Sequence, residues 1–481
     1  MNILKSLEPQ SVFYIFEQIS SIPRGSLEEK QVSDWLVKWA KERNLTVVQD
    51  TENNVIITKA ASPGYENAPA VILQTHMDMV CEKNAGVTHD FSKDPLQLYI
   101  DGDLIKATDT TLGADNGIGV AMSLAILDGS YSHPKLAALI TTNEESGMSG
   151  ARAVDPSLFT DYKYMINLDT AEEGEFTTSC SGGIRHTIEI STGNIPIPAD
   201  YITCEVHVKG LAGGHSGGDI HKGLANSNRV LARVLHKIFE NDNILLSHIE
   251  GGAKDNAIPR EAYALVSFPA DKKSIVSVII EKMQEDLKKE YWEWEPELKV
   301  YAQEVETLKQ AFSPASTKNI IKALMIAPLG LVSATKAGNT MASSNIGVVF
   351  TKDNTVTISC LTRSNILSIR DYMQAQMQYV AEVCNGEYIT LSSYDGWEYR
   401  EDSPLRDICV AVYKQIYGKD PLVTSTHGGL ECGILSTKMP HLDIISFGPN
   451  NYNLHTPQEQ LSISSSKRVY EFLLKVLEAI N

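Results

Sequence analysis

His76 and Asp78 stand two residues apart where an apolar run ends, in the stretch "VILQTHMDMV". In a strand, residues i and i+2 project to one face, so these two side chains can converge on a point beyond the sheet. Further carboxylates and a second histidine follow: Asp115 in "TLGADNGIG", Glu144 and Glu145 in "TTNEESGMSG", Asp169 in "INLDT" and His455 in "NLHTPQEQ". Two imidazoles with several carboxylates form a hard-to-borderline donor set that suits zinc, with manganese or cobalt as substitutes. One ion would not use so many groups. Two ions sharing a carboxylate would, and such a pair generates a nucleophilic hydroxide while clamping a tetrahedral intermediate. Taken singly, each group has a plainer role: Asp115 as a turn or helix N-cap aspartate, Asp169 as a turn cap, the glutamate pair as a solvated loop. Against that, the glutamates follow the apolar "KLAALITT", and burying two like charges is costly without a cation nearby.

These residues need a frame, and the first 185 or so supply one. Amphipathic stretches around "SVFYIFEQISSI" and "KQVSDWLVKWAKERN" precede the strands "LTVVQDT", "NVIITKA" and "AVILQTH". A helix "NGIGVAMSLAILDGS" and the strands "KLAALITTNEE" and "YKYMINLDT" come next. The alternation predicts an α/β layer with a largely parallel sheet, and ligands in such sheets gather beyond the carboxyl ends of the strands. The same grammar returns from about Glu401, with "PLRDICVAVYKQIYG", "LDIISFGPN" and a terminal helix.

Between them lies a different pattern that repeats itself. "NAIPREAYALVSFPADKKSIVSVIIEKMQEDL" and "SSNIGVVFTKDNTVTISCLTRSNILSIRDYMQAQM" both run from an Asn-rich turn through strand material into an amphipathic helix. The expectation is a catalytic domain of residues 1–186 and 401–481, interrupted over 187–400 by an α+β domain of two similar halves. The ends of such an insertion must lie close together.

Whole-chain quantities bound the function. The 481 residues exceed what one core usually supports. Acidic residues outnumber basic ones, 60 against 42, for a formal charge of −18 without any Lys/Arg block, which argues against nucleic acid as a partner. The apolar runs fall short of a membrane span, and "MNILKSLEPQ" does not read as a secretory signal. Seven scattered cysteines without a CxxC pair imply reduced thiols, and a cytoplasmic location is expected.

Together, "THMDMV", "TLGADNGIG", "TTNEESGMSGA", "NLDT", "GGHSGG" and "NLHTPQE" resemble the di-zinc peptidases related to carboxypeptidase G and aminoacylase, over nearly the whole chain. The resemblance implies a zinc-peptidase catalytic domain with an inserted lid, and hydrolysis of dipeptides, Xaa-His (carnosine-like) above all. It implies that His76 and Asp169 hold one zinc, Glu145 and His455 the other, and that Asp115 bridges them, with Asp115–Asn116 joined by a cis peptide. Asp78 would orient His76 through its free ring N–H, and Glu144 would be the general base. Within the lid, His215 would polarise the scissile carbonyl, Asn256 would contact substrate, and Arg363 would bind the terminal carboxylate through its bidentate fork. The match departs from the family's acidic-x-Arg pattern at Leu361-Thr362-Arg363, where leucine takes the acidic place. Relatives with a single-unit lid use a histidine from a partner subunit. A doubled lid could supply it within one chain, and a homodimer stays open. Two rival readings remain: an N-acyl amino acid deacylase or other amidohydrolase on the same scaffold, and a metal-dependent binding protein without catalysis.

Overall fold

A computed structural model describes residues 3–336 and 338–481. The chain forms two compact units. One runs to Ser179 and resumes over Tyr399–Thr426 and Leu430–Asn481; the other comprises Cys180–Glu398 with His427–Gly429. The boundaries expected at 186/187 and 400/401 therefore move to 179/180 and 398/399. The reason is that the strand Gly182–Ser191 is continuous and pairs along its whole length inside the second unit.

The first unit is built on an eight-stranded sheet, in the order Thr46–Gln49, Val55–Lys59, Leu136–Thr141, Ala70–His76, Tyr162–Asn167, Asp443–Ser446, Glu175–Cys180, Leu422–Thr426. Its four middle strands, Leu136–Thr141 to Asp443–Ser446, run parallel. Every residue of Ala70–His76 and of Leu136–Thr141 is buried. That is why both read as unbroken apolar runs, since parallel strands are covered on both faces. The helix Ala114–Asp128 is buried on nearly all sides, which accounts for its apolar composition. A smaller four-stranded sheet joins Asn451–Tyr452 and Gln460–Ser462 to the hairpin Leu98–Asp101 and Leu104–Ala107, and so holds the loop that carries His455.

The second unit contains a nine-stranded sheet: eight strands belong to two βαββαβ halves, and the ninth, Gly330–Ala334, pairs with Thr340–Lys352. One half consists of Tyr201–Lys209, the helix Ser227–Ile238, Leu245–Gly251, Ala262–Pro269, the helix Lys273–Glu290 and Lys299–Val305. The other consists of Gly182–Ser191, the helix Pro314–Ile326, Thr340–Lys352, Thr355–Ser364, the helix Leu367–Val383 and Glu387–Tyr394. If strands are numbered within each half, both have the lateral order 4-1-3-2, and all pairings inside the halves are antiparallel. The second strands of the halves meet, Gly251 opposite Val349. The repeat read from the sequence is thus a repeat of topology, with one half nested inside the other. Val206, Val208, Ala264, Val266, Ile358 and Cys360 point from the sheet into a core that the helices close.

Candidate dinuclear metal centre

His76, the Glu144–Glu145 pair and Asp169 stand at the carboxyl ends of three parallel strands, Asp115 opens the helix Ala114–Asp128 and His455 lies in the loop of the smaller sheet; buried groups set their backbones. Arg24 donates from Nη1 to the carbonyls of Met77 (3.1 Å) and Asp78 (3.2 Å), and from Nη2 to that of Gly113 (2.5 Å). A Cβ at Gly113 would stand 2.4 Å from Arg24 Nη2, and the residue has φ +64°, so glycine is required there twice over. The Glu459 carboxylate accepts the N–H groups of Leu112, Gly113, Ala114 and Asp115 at 2.8, 2.8, 2.9 and 3.3 Å. Asn116 Nδ2 donates to Leu168 O and to Asp169 Oδ1, both at 2.6 Å, which ties the Asp115 turn to the Asp169 loop. The Asp115–Asn116 peptide is cis.

Held in this way, the side chains form triads around a shared carboxylate. His76 Nε2 lies 3.1 Å from Asp115 Oδ1 and 3.4 Å from Asp169 Oδ1. His455 Nε2 lies 3.3 Å from Asp115 Oδ2 and 3.1 Å from Glu145 Oε2. Donor atoms of His76, Glu144 and Glu145 also converge. Asp78 Oδ1 sits 3.3 Å from His76 Nδ1, and the Asp78 carboxylate accepts the N–H groups of Glu144 (3.0 Å) and Glu145 (3.2 Å) and the Ser26 hydroxyl (2.8 Å).

The electrostatics call for cations. Burial, then Asp115 and Glu145, push the Asp169 carboxyl up to about 7, against the pull of His76. Burial drives Glu144 well above the carboxylate range, with Asp169, Glu145 and Glu431 adding to it against His76. Hydrogen bonds to Asp115 and Glu145 hold His455 up at about 11. Glu145 Oε1 is buried without a hydrogen-bond partner among the described residues. Carboxylates this crowded cannot all ionise unless positive charge is supplied. Two imidazoles and three carboxylates arranged about a common Asp115 match what a pair of divalent ions takes. The residues fit the group.

The second unit gathers the other three candidates. His215 pairs with Ala257 across two short strands, and Asn256 O accepts the Ser216 N–H at 2.9 Å, so His215 and Asn256 share one turn cluster. His215 Nδ1 accepts the N–H groups of Gly217 (3.2 Å) and Gly218 (3.1 Å). That leaves its proton on Nε2, as an outward donor. Arg363 is 5% exposed, donates from Nη1 to Tyr394 Oη at 3.0 Å, and has no carboxylate partner among the described residues.

The chain is 38% identical to the cytosol non-specific dipeptidase of Escherichia coli, across all of this chain and 99% of that protein. A family model, the peptidase dimerisation domain of M20 peptidases, matches residues 206–295. The chain belongs to the M20 peptidase family. As a member it is a hydrolase of peptide bonds, with the mixed α/β fold of that family. The aminoacylhistidine dipeptidase of Vibrio alginolyticus superposes with a TM-score of 0.93 at 37% identity, over 99% of this chain and 98% of that one. Human carnosine dipeptidase 1 shares the fold at a TM-score of 0.51 and 11% identity, over 98% of this chain and 96% of that one. The M20 dimerisation model covers most of one βαββαβ half, and the other half repeats its topology.

Sequence reasoning missed several groups on which this M20 site depends. Arg24 and Glu459 shape the Asp115 turn. Glu431 is 1% exposed, accepts from Gln74 Nε2 (2.6 Å) and Thr141 Oγ1 (2.5 Å), and burial pushes it up to about 8. Asn345 Nδ2 donates to Asp255 O (2.9 Å) and Ala257 O (2.7 Å), holding the turn that carries Asn256. The one signal available was an acidic residue inside a motif already singled out, Glu459 in "NLHTPQEQ".

Proposed function

We propose that this M20 peptidase is a di-zinc dipeptidase that cleaves Xaa-His (carnosine-like) dipeptides among its substrates. The observation that carries this reading is Asp115, whose two oxygens face His76 and His455 separately. His76 and Asp169 would hold one zinc, Glu145 and His455 the other, with Asp115 common to both; manganese or cobalt could replace them. When bound, a pair of ions held in this way would supply Lewis acidity toward the attacking water and the scissile carbonyl.

The chain's own groups supply the rest. Glu144 takes a proton from the attacking water and returns it to the departing amine. Asp78 orients His76 and, through the two N–H groups it accepts, sets the paired glutamates. His215 donates from Nε2 to the carbonyl oxygen, Asn256 contacts the substrate beside it, and Arg363 receives the terminal carboxylate. A buried guanidinium with no carboxylate partner among the described residues is a ready place for one. A cytoplasmic location is the reading that the Escherichia coli relative, a cytosol dipeptidase, supports.

The test is a panel of dipeptides and N-acyl amino acids, assayed after chelation and reloading with zinc, manganese or cobalt. Turnover of dipeptides including Xaa-His supports the proposal. Turnover of acyl-amino acids alone selects the deacylase reading, and metal binding without turnover of either selects the binding protein.

A further inference from the structure

His427 stands in "STHGGLE", and its tripeptide His427–Gly429 belongs to the second unit although the chain on both sides belongs to the first. No metal or substrate role accounts for it. Its Nδ1 lies 2.7 Å from Ser181 Oγ and its Nε2 2.7 Å from Ser343 Oγ. Whichever nitrogen carries the proton, one hydroxyl accepts and the other donates, so a neutral imidazole is clamped at both ends. Burial and then the Arg363 charge push its pKa down to about 3, and it adds no second positive charge beside the guanidinium. The Ser181 N–H also donates to Gly428 O at 3.1 Å, seating the tripeptide by its backbone.

The clamp spans the strand that carries Arg363. Ser343 is directly opposite Arg363 on one neighbouring strand, and Gly183, two residues after Ser181, is opposite Arg363 on the other. Cross-strand partners project to one face, so Ser343 and Arg363 are side by side. Beyond Gly183 stands Tyr394, whose ring fills the space a Cβ would need, at 2.7 Å, and reaches Arg363 Nη1. Arg363 is thus fixed from one side by Tyr394 and bordered on the other by Ser343 with His427. The same tripeptide also meets the His215 loop. A Cβ at Gly217 would lie 3.0 Å from the His215 ring and 3.1 Å from His427 O.

We propose that His427 is a positioning residue: clamped between Ser181 and Ser343, it holds Arg363 in register with the His215 loop, at the spacing that one residue between scissile carbonyl and terminal carboxylate requires. The site would then favour dipeptides with a free carboxylate over longer or capped ones. This rests on the reading that His215 polarises the carbonyl and Arg363 receives the carboxylate.

The test compares alanyl-histidine with its C-terminal amide, on the metal-loaded full chain. A substrate that uses both anchors depends on their register, and misplacement of that kind costs up to about 100-fold. His427→Ala should raise KM for the acid by about 10-fold to 100-fold, with kcat/KM for the amide and metal content within about 2-fold of wild type. Combining it with Arg363→Ala should cost no more than Arg363→Ala alone, because the two act as one unit. Ser181→Ala and Ser343→Ala keep the ring and cut one hydrogen bond each; each should raise KM for the acid alone by several-fold. Equal losses on acid and amide, or a double variant that is additive, would make His427 merely structural and overturn the proposal. If Arg363→Ala abolishes the preference for the acid and neither His427→Ala nor the serine variants touch it, the clamp is overturned alone. If Arg363→Ala leaves the preference intact, the carboxylate reading falls and takes the clamp with it.

Discussion

Asp78 Oδ1 faces His76 Nδ1 at 3.3 Å, with the two residues separated only by Met77. The same carboxylate accepts the N–H groups of both Glu144 and Glu145. Asp78 therefore ties one candidate ligand to the loop bearing another ligand and the candidate base. Burial opposes its charge, but His76, the Glu144 N–H and the Ser26 hydroxyl outweigh this and hold it below the usual carboxylate range. Asp78→Ala should lower metal affinity by about 10-fold to 100-fold, as loss of a ligand's orienting partner does elsewhere. Calorimetric titration of zinc into the chelated variant checks this; an unchanged affinity would leave Asp78 without its assigned role.

The adjacent glutamates should separate by function. Glu144→Gln should keep the metals and lose turnover by several orders of magnitude, on the order of 10²-fold to 10⁴-fold. Glu145→Gln should weaken metal binding first. Metal analysis beside kcat for each variant decides it, and equal metal retention with equal loss of activity contradicts the assignment.

Chelation should abolish activity while the far-ultraviolet circular dichroism stays native. The first unit has a hydrophobic core of its own, with Leu73, Ile140, Ile166 and Leu124 all fully buried, unlike small domains that fold only around a metal. Full activity after exhaustive chelation would remove metals from the mechanism, and unfolding on chelation would make them structural.

Stability should fall with acid through a buried histidine of the second unit, His186. Burial pushes His186 down to about 4, and neither ring nitrogen has a partner among the described residues. Unfolded, the same imidazole titrates near 6.5. Between those values the unfolded chain binds the extra proton, so stability declines as pH drops from about 6.5 to about 4, by up to about 1.4 kcal/mol per pH unit. His186→Phe, which keeps an aromatic ring against Tyr388, should flatten that slope. Denaturant titrations of both proteins at pH 7 and pH 5 give the comparison, and an unchanged slope refutes the claim.

The doubled lid carries a further expectation. The chain holds two βαββαβ halves where the family's dimerisation model matches one. His215 should therefore serve its own chain, and mixing His215→Ala with Glu144→Gln chains should restore no activity. Recovery in the mixture would show a site shared between subunits.

Much of the ligand set was legible because His76, Glu144, Glu145 and Asp169 follow apolar strands, where an acidic or imidazole side chain has few other reasons to be buried. The structure brings them together with Asp115 and His455. The repeat in the lid was legible from its strand-to-helix pattern, since that pattern is local. Its nesting and its shared sheet were not, because strand pairing joins residues such as Gly251 and Val349 that nothing local connects.

What the sequence by itself determined is the chemistry on offer and the alternation that places it at strand ends. The tertiary structure alone decided which groups hold those side chains in place. Arg24 reaches Gly113 across 89 residues, Glu459 reaches the Leu112 N–H across 347, and Glu431 reaches Gln74 across 357. The composition of "SIPRGS" or "HGGLE" does not say which distant groups its charge will satisfy. A buried charge takes its meaning from its partners, and only the fold brings those partners within hydrogen-bonding distance.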